Sequence, residues 1–114
     1  MSARIQIVDD EESIRFTFER FLRAAGYVAI TAVGCAEALA RLDEASFDVI
    51  FVDIILDDGT GIELLRAIKE RGLICPVLMI TGEPGVATAA YSIRLGAFDY
   101  IPKPINQEAL LGLT

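Results

Sequence analysis

The chain is 114 residues long, and its 17 acidic side chains against 10 basic ones leave a formal charge of −7 at pH 7. With 54% hydrophobic and 24% charged residues it can bury one core, which excludes a disordered acidic tail and fits a single domain. No Lys/Arg cluster offers nucleic-acid phosphates a basic footprint, so no direct nucleic-acid binding is expected of this segment. No apolar run approaches the roughly 20 residues of a membrane span. The N-terminus lacks an apolar signal region ahead of Asp9, and the expected setting is cytoplasmic, away from the membrane.

Taken in chain order, short apolar runs alternate with helical patterns. Ile5-Gln6-Ile7-Val8 predicts a first strand, and Ile14, Phe18, Phe21, Leu22 and Ala25 recur at helical spacing until Gly26 stops them. Tyr27 to Ala32 is a second strand by its β-branched and aromatic content, and Ala36 to Leu42 is a run of helix formers. Val49-Ile50-Phe51-Val52 is unbroken apolar sequence, as in a strand covered on both faces, and it ends at Asp53. A polar, glycine-bearing loop follows (Asp57, Asp58, Gly59, Gly61), then a third helix through Ile62, Leu65 and Ile68. Pro76 introduces a fourth strand, Val77-Leu78-Met79-Ile80. Val86, Ala89, Ala90 and Ile93 mark a fourth helix, Phe98 to Ile101 a fifth strand, and Gln107 to Leu113 the start of a fifth helix. This is a (βα)5 pattern, an α/β class that implies a parallel sheet, doubly wound with helices on both faces.

In open parallel sheets ligands bind beyond the carboxyl ends of the strands. The first strand is followed by Asp9-Asp10-Glu11-Glu12, the third by Asp53, the fourth by Thr81-Gly82, and the fifth by Lys103 between Pro102 and Pro104. Asp9, Asp10 and Asp53 should therefore converge. Crowded carboxylates repel until a proton or a cation relieves them. Histidine is absent, and Cys35 and Cys75 lack CxxC spacing, which excludes a structural zinc site and His-based triads. Both cysteines read as small buried hydrophobes. A hard-oxygen donor set without imidazole or thiolate suits Mg²⁺ or Mn²⁺. With Lys103 as a fixed cation and Thr81 as a hydroxyl donor, the loops carry what phosphoryl transfer to a carboxylate needs. Singly, each has a plainer reading: helix-cap acids, a turn aspartate, a solvated loop lysine, a Thr-Gly turn. Their joint position at the same end of four strands favours the functional one.

Ile7-Val8-Asp9-Asp10-Glu11, Val49 to Leu56, Met79-Ile80-Thr81-Gly82 and Gly96 to Pro104 together resemble the receiver domain of bacterial two-component response regulators, over essentially all of residues 1–114. The resemblance implies a flavodoxin-like sheet in the order 2-1-3-4-5. It implies that Asp53 accepts a phosphoryl group from a sensor histidine kinase or phosphotransfer protein, and that Asp9, Asp10, Asp53 and the backbone carbonyl of Ile55 hold the metal. Thr81 and Lys103 match the residues that bind the phosphoryl group, and Tyr100 the aromatic that turns inward when Thr81 moves. The Lys103–Pro104 bond is expected to be cis, and Gly61 matches a loop glycine.

A phosphoryl group adds charge and three strong acceptor oxygens, which draws a hydroxyl and a lysine into new bonds and biases a two-state element. The face of the fourth helix, fifth strand and fifth helix is then expected to change shape for an output domain or partner, with homodimerisation through that face a further expectation. The domain is expected to catalyse only its own phosphorylation and dephosphorylation. Asp57 departs from the family's frequent proline, and with Asp58 it is expected to deepen the negative field at the pocket's rim. Ile55 and Glu83 occupy positions that influence the phosphoryl lifetime in opposite senses. The fifth helix ends short of the family's usual length, so a fragment of a longer protein, with its output domain elsewhere, is expected. Alternatives are a flavin-binding flavodoxin-like electron carrier, which the acidic loop at Asp9 disfavours, and a phospho-independent receiver-like interaction domain. An aspartate-nucleophile phosphatase would need a second acid where Ile55 stands.

Overall fold

The computed structural model describes residues 3–103 and Gly112. Five strands, β1 (Arg4–Val8), β2 (Val28–Ala32), β3 (Val49–Asp53), β6 (Val77–Thr81) and β7 (Asp99–Pro102), form one sheet in the order β2-β1-β3-β6-β7. All four pairings are parallel. In chain order these strands are the expected 2-1-3-4-5. The order reverses between β1 and β3, whose ends carry Asp9 and Asp53, so the two aspartates flank the crevice that such a reversal opens.

The helices are α1 (Glu12–Ala24), α2 (Cys35–Glu44), α3 (Gly61–Glu70) and α4 (Val86–Arg94). None of them is long and apolar enough to cross a membrane. Alternation along β3 divides the core, because successive side chains point to opposite faces. Ile50 and Val52 join Leu64, Leu65 and Ile68 of α3 and Ala38 of α2, while Phe51 joins Phe18 and Leu22 of α1. Phe18 meets Phe51 edge to face at a centroid distance of 6.0 Å, the arrangement that ring quadrupoles favour. Gly26 ends α1 at φ 94°, which only glycine adopts without strain.

Between β3 and α3 the sequence reading expects only a polar loop. The structure instead pairs β4 (Ile55–Leu56) antiparallel with β5 (Gly59–Thr60) around the turn Asp57-Asp58. Two residues per strand are too few to leave a hydrophobic pattern. Thr60 then caps α3, its Oγ1 accepting from Glu63 N at 3.1 Å and donating to Glu63 Oε1 at 3.3 Å. Gly61 is required by packing: a Cβ there would lie 2.3 Å from the Asp53 carbonyl oxygen. Cys35 and Cys75 are half-buried rather than buried, since each sits at a loop–element junction at the edge of the core. Pro104, the Lys103–Pro104 peptide and the expected fifth helix lie outside the described residues, apart from Gly112.

Candidate functional site

The carboxyl ends of β1, β3 and β7 lead into Asp10, Asp53 and Lys103, which line a common pocket of about 320 Å³ with Ile55 and Gly82. Asp9 is wholly buried. Its backbone N–H extends the β1–β2 ladder by donating to the Ala32 carbonyl, and its Oδ1 accepts from Glu11 N at 2.9 Å. Asp53 is 3% exposed; its Oδ1 accepts from Ile55 N at 3.2 Å, and its Oδ2 takes a hydrogen bond from Lys103 Nζ at 2.9 Å. Asp9, Asp10 and Asp53 each offer an oxygen within 4.8 Å of the others.

Among the described residues a single ammonium serves this cluster. Lys103 Nζ lies 2.9 Å from Asp9 Oδ2, 2.9 Å from Asp53 Oδ2 and 3.5 Å from Glu11 Oε1. Burial alone would lower the Lys103 pKa, but its close contacts with the Asp9 and Asp53 carboxylates outweigh it and hold the amine above the usual lysine value. Asp9 is displaced the other way for a carboxylate: burial pushes it up, against the Glu11 N–H and Lys103, and the charge of Asp53 adds to the rise. Asp9 Oδ2 is buried with no donor aligned on it, so Lys103 meets it as a neighbouring charge and not through a well-directed hydrogen bond. Three carboxylates with oxygens within 4.8 Å of one another, and no nitrogen or sulfur donor among them, are a set that a hard divalent cation fits.

The remaining expected residues are placed less uniformly. Thr81 is buried at the end of β6, where its carbonyl accepts from Lys103 N at 2.7 Å, while its hydroxyl accepts from Glu83 N at 3.0 Å and makes no bond to Asp53 or Lys103. Tyr100 is half-buried against the α3-side core, and its hydroxyl accepts from Gly85 N at 3.1 Å, tying β7 to the start of α4. Asp58 does not line the pocket; it accepts from Cys35 N and Ala36 N at 2.9 and 3.1 Å and caps α2. Two contributors went unread in the sequence, Glu11 beside Lys103 and Arg15, whose Nη1 donates to the Asp9 carbonyl at 2.7 Å. The signal for Arg15 was its place as the first cation after the acidic run.

A doubly wound sheet with clustered aspartates and one lysine at its switch point defines a small α/β signalling domain. Residues 5–113 match the response regulator receiver domain, and the chain belongs to that family. It is 36% identical over 109 residues to the DNA-binding transcriptional regulator NtrC of Escherichia coli K12, covering 96% of this chain and 23% of that protein. The chain therefore spans about a quarter of the length of this relative. Among solved structures it is similar to the chemotaxis protein CheY4 of Vibrio cholerae, with 35% identity, a TM-score of 0.94 and coverage of 99% of this chain and 96% of that one. It is also similar to a response regulator of Burkholderia pseudomallei with a phosphorylated aspartic acid, a calcium ion and citrate, with 30% identity, a TM-score of 0.91 and coverage of 97% and 65%. The family places the chain in two-component signalling and sets aside the flavin-carrier alternative.

Proposed function

We propose that this chain accepts a phosphoryl group on Asp53 from a phosphohistidine of a sensor kinase or phosphotransfer protein, with a divalent cation held by Asp9, Asp10, Asp53 and the Ile55 carbonyl. The observation that carries the reading is the setting of Asp53: a nearly buried carboxylate with one oxygen on the Ile55 N–H and the other on Lys103, opening into the acidic pocket. A carboxylate oxygen of Asp53 attacks phosphorus, the P–O bond forms as the P–N bond breaks, and the electron pair returns to the donor's imidazole. The reaction needs positioning and charge neutralisation above all. Lys103 supplies fixed positive charge for the transferred oxygens. The cation, Mg²⁺ or Mn²⁺, would neutralise the remaining carboxylate charge so that an anionic phosphoryl group can approach. The phosphorylated aspartic acid and calcium ion of the Burkholderia pseudomallei relative support this assignment.

The product carries new acceptor oxygens beside Lys103 and near the end of β6. Thr81 then exchanges its acceptance from Glu83 N for donation to the phosphoryl group, and Tyr100 leaves Gly85 N to turn inward. The exposed apolar side chains Val86, Ile93 and Phe98 lie on α4 and beside β7, and this face changes shape for an output domain, a partner or a second copy in the cytoplasm. Ile55, half exposed at the pocket, limits water's approach to the acyl phosphate, so the domain catalyses little beyond its own phosphorylation and its reversal.

Intact-mass measurement after incubation with Mg²⁺ and acetyl phosphate tests the reading. A gain of one phosphoryl group that disappears with a chelator and in Asp53→Asn is expected. No gain, or a gain that survives Asp53→Asn, would overturn it.

A further inference from the structure

Arg15 stands in the first turns of α1 with acids at pairing distance along the helix: Glu11 and Glu12 before it, and Glu19 after it. Yet Glu11 lies beside Lys103, and Glu19 pairs with Arg23. Among the described residues, half-buried Arg15 is ion-paired to none of these acids; its Nη1 donates instead to the Asp9 carbonyl at 2.7 Å. A charged donor makes this bond stronger than one between neutral groups.

That carbonyl belongs to the planar peptide unit joining Asp9 to Asp10. Holding it fixes ψ of Asp9 and φ of Asp10, the two rotations that set the directions in which these carboxylates leave the backbone. The Asp9 N–H is already bound to the Ala32 carbonyl, and its Oδ1 accepts from Glu11 N at 2.9 Å. Arg15 supplies the anchor on the carbonyl side. By charge alone the arginine is misplaced, because a cation next to the three-aspartate cluster repels a divalent ion. We propose that Arg15 is a positioning residue of the cation site, locking the Asp9–Asp10 peptide so that both carboxylates converge with Asp53 on one divalent ion. Groups that hold a metal's ligands in place raise affinity without touching the ion. The inference rests on the cation-binding reading of that cluster.

Calorimetric titration of the metal-free protein with MgCl₂ tests it without any phosphodonor, because charge and positioning predict opposite signs. Wild type is compared with Arg15→Met, Arg15→Lys and Arg20→Met, the last removing equal charge from an exposed site on the same helix. Arg15→Met should weaken Mg²⁺ binding about tenfold, although it removes a repelling charge. Arg15→Lys keeps one donor for one carbonyl and should stay within about threefold of wild type, and Arg20→Met within about twofold. In the metal-free protein the amide signal of Asp10, which shares the held peptide unit, should move in Arg15→Met and stay in place in Arg20→Met. An unchanged or tighter Arg15→Met, a Lys variant as weak as the Met variant, an equal loss in Arg20→Met, or an unmoved Asp10 signal each overturns the inference. A wild type that binds no Mg²⁺ overturns the cation site itself, so the two failures are distinct.

Discussion

The two ends of the sheet treat negative charge differently. At the amino end, around a 580 Å³ groove between the α2–β3 and α3–β6 connections, Asp43 and Asp48 each have a partner of their own. Asp48 accepts from Arg4 N at 2.8 Å, and Asp43 pairs with Arg71 at 2.6 Å. At the carboxyl end, one lysine is divided among Asp9, Asp53 and Glu11, and two of those acids are buried. Acids with private partners serve the fold. Acids that share one cation store repulsion that a ligand can relieve, and the function is built on them.

The sharpest way to break this contrast is to remove the shared cation. Lys103→Met leaves Asp9 and Asp53 without a counter-charge, and urea denaturation at pH 7 without divalent ions should show a loss of about 3 kcal/mol. A loss under about 1 kcal/mol would mean that the lysine is as dispensable as a surface partner. The same repulsion predicts a gain from metal: Mg²⁺ at about a hundred times its Kd should add roughly 2.7 kcal/mol, which for a domain of this size raises Tm on the order of 10 °C. Asp10→Asn should abolish most of that rise in a thermal scan; an undiminished rise would place the ion elsewhere.

Acid titration separates Asp58 from the cluster. Its pKa is lowered in the folded chain by the Cys35 and Ala36 N–H groups. Its hold on α2 is therefore present above the ordinary value of 3.8 and is lost as pH falls through the lower folded value. The amide shifts of Cys35 and Ala36 should titrate with a midpoint below 3.8, and a midpoint at or above it would remove the cap. The smallest effect belongs to the amino end. Arg71→Ala breaks a pair whose side chains are 36% and 68% exposed, and should cost at most about 0.5 kcal/mol by chemical denaturation.

Much of this was legible in the sequence, for identifiable reasons. Val49 to Val52 is a continuous apolar run, and Ile5 to Val8 is interrupted only by a buried Gln6, because both faces of those strands are covered; Asp53 and Asp9 follow them at the crevice. That rule alone brought Asp9, Asp53, Thr81 and Lys103 to one edge. What escaped it was contact across long sequence separation. Asp58 meets α2 from 23 residues away, and no local pattern reveals which carboxylate in Asp57-Asp58 turns inward. Arg15 went unread because its partner is a backbone carbonyl, which carries no side-chain signature. Tyr100 was found by resemblance alone, and the bonds of Thr81 and Tyr100 to Glu83 N and Gly85 N describe where each begins before any switch.

The central claim is that Asp53, among several acids crowded into one pocket, is the one that forms the acyl phosphate. Borohydride reduction of the protein after Mg²⁺ and acetyl phosphate, followed by peptide mass spectrometry, reads that choice directly, because it converts an aspartyl phosphate to homoserine in place. Homoserine at position 53 alone is the predicted result. Homoserine at Asp9 or Asp10, or none in the chain, would contradict the account.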